Sequence, residues 1–217
     1  MTSLVIHGRN GAVDSDHMRP IIEALRAHGA VCAPDLRFSD ANGSEGTGRG
    51  FTLSQHLDDA RRVLDSLRSS EHDEPIMMAG HSVGAFAALS LAAEYGAAVV
   101  CGVLAVSPAI SGQALLAARA AMGPGALAAL NDEAPQAAAD YRRHDLLPKA
   151  SSIGQPVALL VGEDDGLTPP SDVSRLADAL PRVVGHEVIP GVHHCPVGAA
   201  VEAAYQQLAS ALVQASQ

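Results

Sequence analysis

The sequence has no tryptophan and only three phenylalanines and three tyrosines in 217 residues. That leaves little material for a stacking cage, so an apolar pocket has to be built from aliphatic side chains and suits a small to medium ligand. Cysteine is equally scarce. Cys32, Cys101 and Cys195 form an odd, scattered set that suggests no disulfide framework, and no spaced Cys or His pair of the zinc type is present. Cys32 and Cys101 lie in or beside apolar segments and read as small buried hydrophobes, whereas Cys195 reads as a sensitive thiol. The chain also lacks any basic run. Its formal charge is −10, which argues against nucleic acid and against an anionic membrane surface as partners. Arg9, Arg37 and Arg49 are the only obvious loop cations from which a local basic patch could be assembled. Long apolar runs are missing too: no stretch of about 18 residues is free of charges and turn residues. Met1 leads straight into a strand pattern with no cationic leader segment, so a cytoplasmic location is expected.

What the chain does have is a regular alternation. Apolar runs near 3–7, 30–34, 75–79, 99–106, 156–161 and 183–189 read as strands, and helical patterns fall near 15–28, 53–69, 83–95, 170–180 and 197–214. The strands are apolar without alternating, as parallel strands covered on both faces are. The expected fold class is therefore α/β, a doubly wound, mostly parallel six-stranded sheet in a single domain over 1–217. Two stretches fall outside the alternation. Residues 38–50 are polar and glycine-rich and read as a mobile loop; they lack the Lys-Ser/Thr of a phosphate-binding loop. Residues 111–150 are alanine-rich, broken at Gly123-Pro124-Gly125 and Pro135, and fit two or three short helices. Ala114, Leu115, Ala118, Met122, Leu127 and Leu130 are candidates there for an apolar pocket wall, with ordinary helix packing as the alternative.

The pentapeptide Gly80-His81-Ser82-Val83-Gly84 sits where a strand hands over to a helix. This is the pattern of a nucleophile elbow: the serine takes a strained turn conformation, the glycines let the turn close, and the helix N-terminus faces the reacting centre. A serine acting as nucleophile needs a base, and the base needs an orienting acid. Downstream, the loop after the fifth strand carries Glu163, Asp164 and Asp165, and the loop after the sixth carries His193 and His194. Ser82 also has an alternative reading as a helix cap, since serine is a favoured capping residue.

These motifs together resemble a small α/β-hydrolase of the serine esterase and lipase type, over nearly the whole chain and without the leading antiparallel strands of larger members. The apolar strand ending in His7-Gly8 resembles the family's oxyanion segment. The acid loop, commonly Gly-x-x-Asp, lays Gly162 and Asp165 on its pattern. The histidine loop, commonly Pro-Gly-x-Gly-His-x-Pro, lays Pro190, Gly191, His194 and Pro196 on its pattern, with His193 in place of the second glycine. Ser, Asp and His then follow in the α/β-hydrolase order.

The resemblance implies Ser82, Asp165 and His194 as catalytic residues and the backbone N–H groups of Arg9 and Val83 as the oxyanion hole. It also implies strand order 2-1-3-4-5-6 and a lid-like insertion at about 111–150. Asn10, Leu115 and Met122 are the expected substrate-binding residues. No metal and no cofactor are expected, and the partner is a small-molecule ester. The expected function is hydrolysis of a carboxylic ester of small to medium acyl chain through an acyl-enzyme. Thioesterase or acyltransferase chemistry with the same residues is the alternative, and a non-catalytic ligand-binding protein is the alternative of another class. A serine at the elbow and the shortage of aromatics disfavour dehalogenase and epoxide hydrolase chemistry, where an aspartate stands at that position.

Overall fold

The computed structural model of the protein describes residues 1–69 and 74–217. Its centre is a sheet of β1 (Thr2–Ile6), β2 (Ala30–Cys32), β3 (Ile76–His81), β4 (Val100–Val106), β5 (Val157–Gly162) and β6 (Val183–Ile189). The spatial order is β2-β1-β3-β4-β5-β6, and every neighbouring pair is parallel. The expected order holds, and the sheet is wholly rather than mostly parallel among the described residues.

The apolar runs explain the layering. In β3 and β5 every residue is buried, so each face needs its own cover. On one face, α1 (Arg19–Arg26) and α9 (Ala199–Ala215) bring Ile21, Leu25, Tyr205 and Leu208 against Val5, Met77, Leu104 and Leu160. On the other lie α2 (Leu53–Ser69), α3 (Val83–Tyr95) and α8 (Pro170–Ala179), where Phe86, Leu89 and Leu176 pack against Leu4, Met78, Val103 and Leu159. Residues Val83 through Ala92 of α3 are all buried, as befits a helix that is apolar all round.

Boundaries differ from the sequence expectation where a single residue or an edge decides them. Helix α1 begins at Arg19 rather than near 15, with Pro20 in its first turn. Proline has no N–H to donate, so it fits the first turn and not the interior. Strand β3 runs on through Gly80 and His81, which pair with Ala105 and Val106. β6 is an edge strand and is only partly covered, with Val188 41% exposed. Cys32 and Cys101 are half-buried rather than buried.

Between β4 and β5 the chain forms four helices rather than two or three: α4 (Gly112–Ala121), α5 (Pro124–Glu133), α6 (Ala137–Tyr141) and α7 (Leu147–Ala150). Gly123 at φ 114° and Pro124 in the first turn of α5 separate the first two. The insertion is tied down at several points. Ser111 bridges Asp145, and Gly112 N–H donates to the His144 carbonyl. Buried Asp140 accepts from the Ser54 N–H at 3.0 Å and the Ser54 hydroxyl at 2.6 Å, placing its charge at the N-terminus of α2. The 38–50 loop is cross-linked by Gly48 N–H to Asp40 and Phe38 N–H to Glu45 O, and its Arg49 reaches the Asp132 carbonyl of α5.

Candidate active site

The chain runs from β1 outward to β2, then back past β1 to β3, which makes a topological switch point between β1 and β3. Side chains at the carboxyl ends of strands meet in such a crevice. The elbow after β3 is held by close backbone approach. A Cβ on Gly84 would run into the Ile6 carbonyl oxygen, and one on Gly80 would run into the backbone of Gly84. Both glycines are therefore required by space. Ser82 is left at φ 57°, ψ −120°, a strained conformation for a side chain with a Cβ, and its hydroxyl makes no capping hydrogen bond to α3. The cap reading of Ser82 is thereby set aside.

The hydroxyl is turned instead toward the loop after β6. His194 Nε2 lies 3.0 Å from Ser82 Oγ, while His194 Nδ1 lies 3.0 and 2.9 Å from the two carboxylate oxygens of Asp165. Gly162 brings the loops after β5 and β6 together, for a Cβ there would collide with the Val192 carbonyl. His193 faces solvent and its Nδ1 contacts the Asp164 carbonyl at 3.1 Å. Glu163 accepts from Gly191 N–H at 3.3 Å, and Asp164 is exposed. Asp165 alone of the three carboxylates reaches His194.

Asp165 is a buried acceptor of several donors. Its oxygens take the N–H groups of Leu167 and Thr168, each at 2.9 Å, and the Thr168 hydroxyl at 2.7 Å. Burial works to raise its pKa, but the hydrogen bond and charge of His194 and the Thr168 donors outweigh it and hold the carboxyl at about 2. A folded pKa below the ordinary value near about 3.9 contributes stability that is complete above about pH 4 and is lost as pH falls toward about 2. Asp165→Asn is therefore expected to unfold at lower urea than wild type at pH 7, by on the order of 2 kcal/mol. The gap should narrow at pH 3; a pH-independent gap would show that the charge of Asp165 contributes nothing to folding.

His7, His56 and His81 hold backbone segments near the site, and burial lowers the pKa of each. His7 donates from Nδ1 to the Gly8 carbonyl at 2.7 Å and accepts Leu36 N–H on Nε2 at 2.9 Å, pinning the loop after β1; burial lowers its pKa. His56 donates to the His7 carbonyl at 2.9 Å, and burial with neighbouring His7 lowers it to about 3. His81, with its pKa lowered far by burial and by His194, donates from Nε2 to the His194 carbonyl at 2.7 Å. It thus holds the loop that carries His194. Among the described residues, His17, His81 and Cys195 are the set that could hold a metal ion, their donor atoms all lying within 4.8 Å of one another. Spacing in the sequence gives no hint of this trio. Partial burial and Asp165 raise the Cys195 pKa, which disfavours its thiolate and counts against a sensitive thiol.

Residues 2–143 match the family described as serine aminopeptidase, S33. The chain belongs to that family. The matched span carries Ser82 and ends before Asp165 and His194, which the fold brings to it. No curated protein matches by sequence. Among solved structures, this hydrolase is similar to Est1E from Butyrivibrio proteoclasticus with bound ferulic acid, at a TM-score of 0.81 and 18% identity over 98% of this chain and 89% of that one. It is similar to the Pyrococcus furiosus esterase Pf2001, at 0.75 and 23% over 100% and 83%. It is also similar to the Paleococcus ferrophilus monoacylglycerol lipase, at 0.68 and 20% over 97% and 94%. At these identities the likeness establishes the α/β-hydrolase fold. No helix among the described residues is long and apolar enough to cross a membrane.

In this hydrolase Ser82 and His194 open into a cavity of about 270 Å³, lined also by Arg9, Asn10, Leu115, Arg119, Tyr141 and Leu167. Asn10 and Leu115, two of the expected substrate-binding residues, line the cavity. Met122 does not: it is the C-cap residue of α4 and is 59% exposed, outside the cavity. Ala114 and Leu127 pack against the core and Leu130 is fully buried in it, so Leu115 is the one member of the expected apolar wall that lines the cavity. Arg119 was missed; its signal was position, four residues after Leu115 and so on the same helical face. Arg37 is tied to Asp59 and Arg49 to the Asp132 carbonyl, which leaves Arg9 as the only loop cation of the three at the site.

Proposed function

We propose that the protein is a serine hydrolase that cleaves a carboxylic ester of small to medium acyl chain through an acyl-enzyme. The observation that carries this reading is the continuous chain from Asp165 through His194 to Ser82 Oγ, opening into a cavity. His194 takes the Ser82 proton as Oγ adds to the ester carbonyl, and gives it to the departing alkoxide. Water then adds to the acyl-enzyme with His194 taking one of its protons, and the acid leaves as that proton returns to Ser82. Asp165 fixes the imidazole tautomer and balances the imidazolium.

The developing oxyanion would be held by the N–H groups of Val83 and Arg9. Neither has a hydrogen-bond partner among the described residues, and Gly8 lies beside Ser82, where an added Cβ would sit 3.1 Å from Ser82 Cβ.

The esterase and lipase names of the structural relatives support an ester substrate over an amide, and so does the site. Two guanidinium groups and no carboxylate line the cavity. The free α-ammonium of an aminopeptidase substrate would meet only like charge there. An aliphatic wall at Leu115 and Leu167 and a small volume favour short acyl groups. The test is hydrolysis of p-nitrophenyl esters from acetyl to dodecanoyl beside amino-acid p-nitroanilides. A kcat/KM optimum at six carbons or fewer and no anilide turnover are expected; anilide turnover exceeding that of every ester would transfer the reading to peptidase chemistry.

A further inference from the structure

Arg119 makes no ion pair among the described residues, and the Glu133 carboxylate acts on it only from a distance. It sits on α4, half-buried, with its Nε shielded from solvent and no hydrogen-bond acceptor among the described residues. Its neighbour across the cavity wall is Arg9, whose side chain is 11% exposed and pairs with Glu133 at 2.9 Å. Glu133 is 52% exposed and does not itself line the cavity. Burial first, and the charge of Arg9 second, lower the Arg119 pKa. The cavity wall thus carries two guanidinium groups and Tyr141, with the Glu133 carboxylate outside it. A half-buried cation with unmade hydrogen bonds is costly, and an arginine fork matches a planar carboxylate.

We infer that Arg119, with Arg9, forms a carboxylate-binding subsite beside Ser82, so that the preferred ester carries a second, negatively charged carboxylate. This rests on the ester-hydrolase reading above and narrows it to half-esters of short dicarboxylic acids or acyl esters of hydroxy acids. The overall charge of −10 makes the local pair informative: it works against the long-range field and acts only on an anion already inside the cavity.

The test compares kcat/KM within two pairs, each corrected for spontaneous hydrolysis. Mono-4-nitrophenyl adipate against 4-nitrophenyl hexanoate places the charge on the acyl side; 3-acetoxybenzoate against phenyl acetate places it on the alcohol side. Wild type should prefer the anionic member of at least one pair. In Arg119→Gln the anionic-to-neutral ratio of that pair should fall about tenfold or more, the loss of one charge-assisted hydrogen bond, and Arg119→Lys should retain part of it. A preference for the neutral member in both pairs, or a ratio unmoved by Arg119→Gln, overturns the subsite.

Calorimetry reads the same site without turnover. Hexanoate should bind wild type more tightly than 1-hexanol and lose that advantage in Arg119→Gln; equal binding of the two by wild type overturns the proposal. Absence of turnover for every ester, with the hexanoate advantage intact, would sink the hydrolase reading and leave the anion site standing.

Discussion

Ser82→Ala is expected to lower kcat/KM for p-nitrophenyl esters by at least about 10⁴, with the fold and the cavity intact. In the proposed mechanism the serine supplies the nucleophile, and Cys195, another nucleophilic side chain lining the cavity, has a thiol pKa held up by partial burial and by Asp165. The strained backbone at φ 57° is relieved little by removing one oxygen, so thermal stability should stay close to wild type. A Ser82→Ala protein that kept more than about a tenth of wild-type turnover would end the acyl-enzyme account. The remaining activity would then have to come from another group in the cavity, and the His17, His81 and Cys195 cluster would be the place to look.

The second large effect separates two adjacent histidines. His194→Ala should cost about as much as Ser82→Ala, because the two act as one unit, and the double variant should be no worse than either single one. His193→Ala should change kcat/KM within about threefold, as a surface substitution does, since that ring is exposed and its hydrogen-bond partner among the described residues is the Asp164 carbonyl. Equal losses at both positions would mean that the loop after β6 rearranges when substrate binds. The present geometry would then describe a resting form only.

Much of this molecule is legible along the chain because its signals are local. Apolar runs of strand length alternate with helical periodicity, and parallel strands buried on both faces leave no freedom in which runs they can be. The elbow is equally local: Gly80 and Gly84 are needed at fixed offsets from Ser82 because backbone atoms approach where a Cβ would stand. The order of Ser, Asp and His along the chain is local information too, and it points to the fold that gathers them. Pro20 shows a local signal that was available and outweighed: helical periodicity from 15 onward suggested a longer α1, but a residue without an N–H starts the helix at Arg19.

What stayed hidden depends on where side chains point once distant elements pack. Three carboxylates in a row at Glu163, Asp164 and Asp165 are alike by residue type, and only the family resemblance singled out Asp165; the closure of the β5 and β6 loops around Gly162 turns Asp165 inward and the others out. His193 and His194 differ in the same way. In the insertion, composition showed helices but not their rotation, so Met122 was expected in the pocket and stands in solvent, while Arg119 lines the cavity unannounced.

The sequence by itself therefore determined the strands, the helices and the kinds of reactive group, because strand and helix periodicity and the glycine requirement of a tight turn act over a few residues; the order of the strands followed only from the family resemblance. By residue type alone several carboxylates and histidines were equivalent, and the family resemblance singled out Asp165 and His194; the tertiary structure brings those two to Ser82 and puts two arginines on the cavity wall. Burial, charge pairing and side-chain direction are properties of packed surfaces far apart in the chain, and no local pattern encodes them.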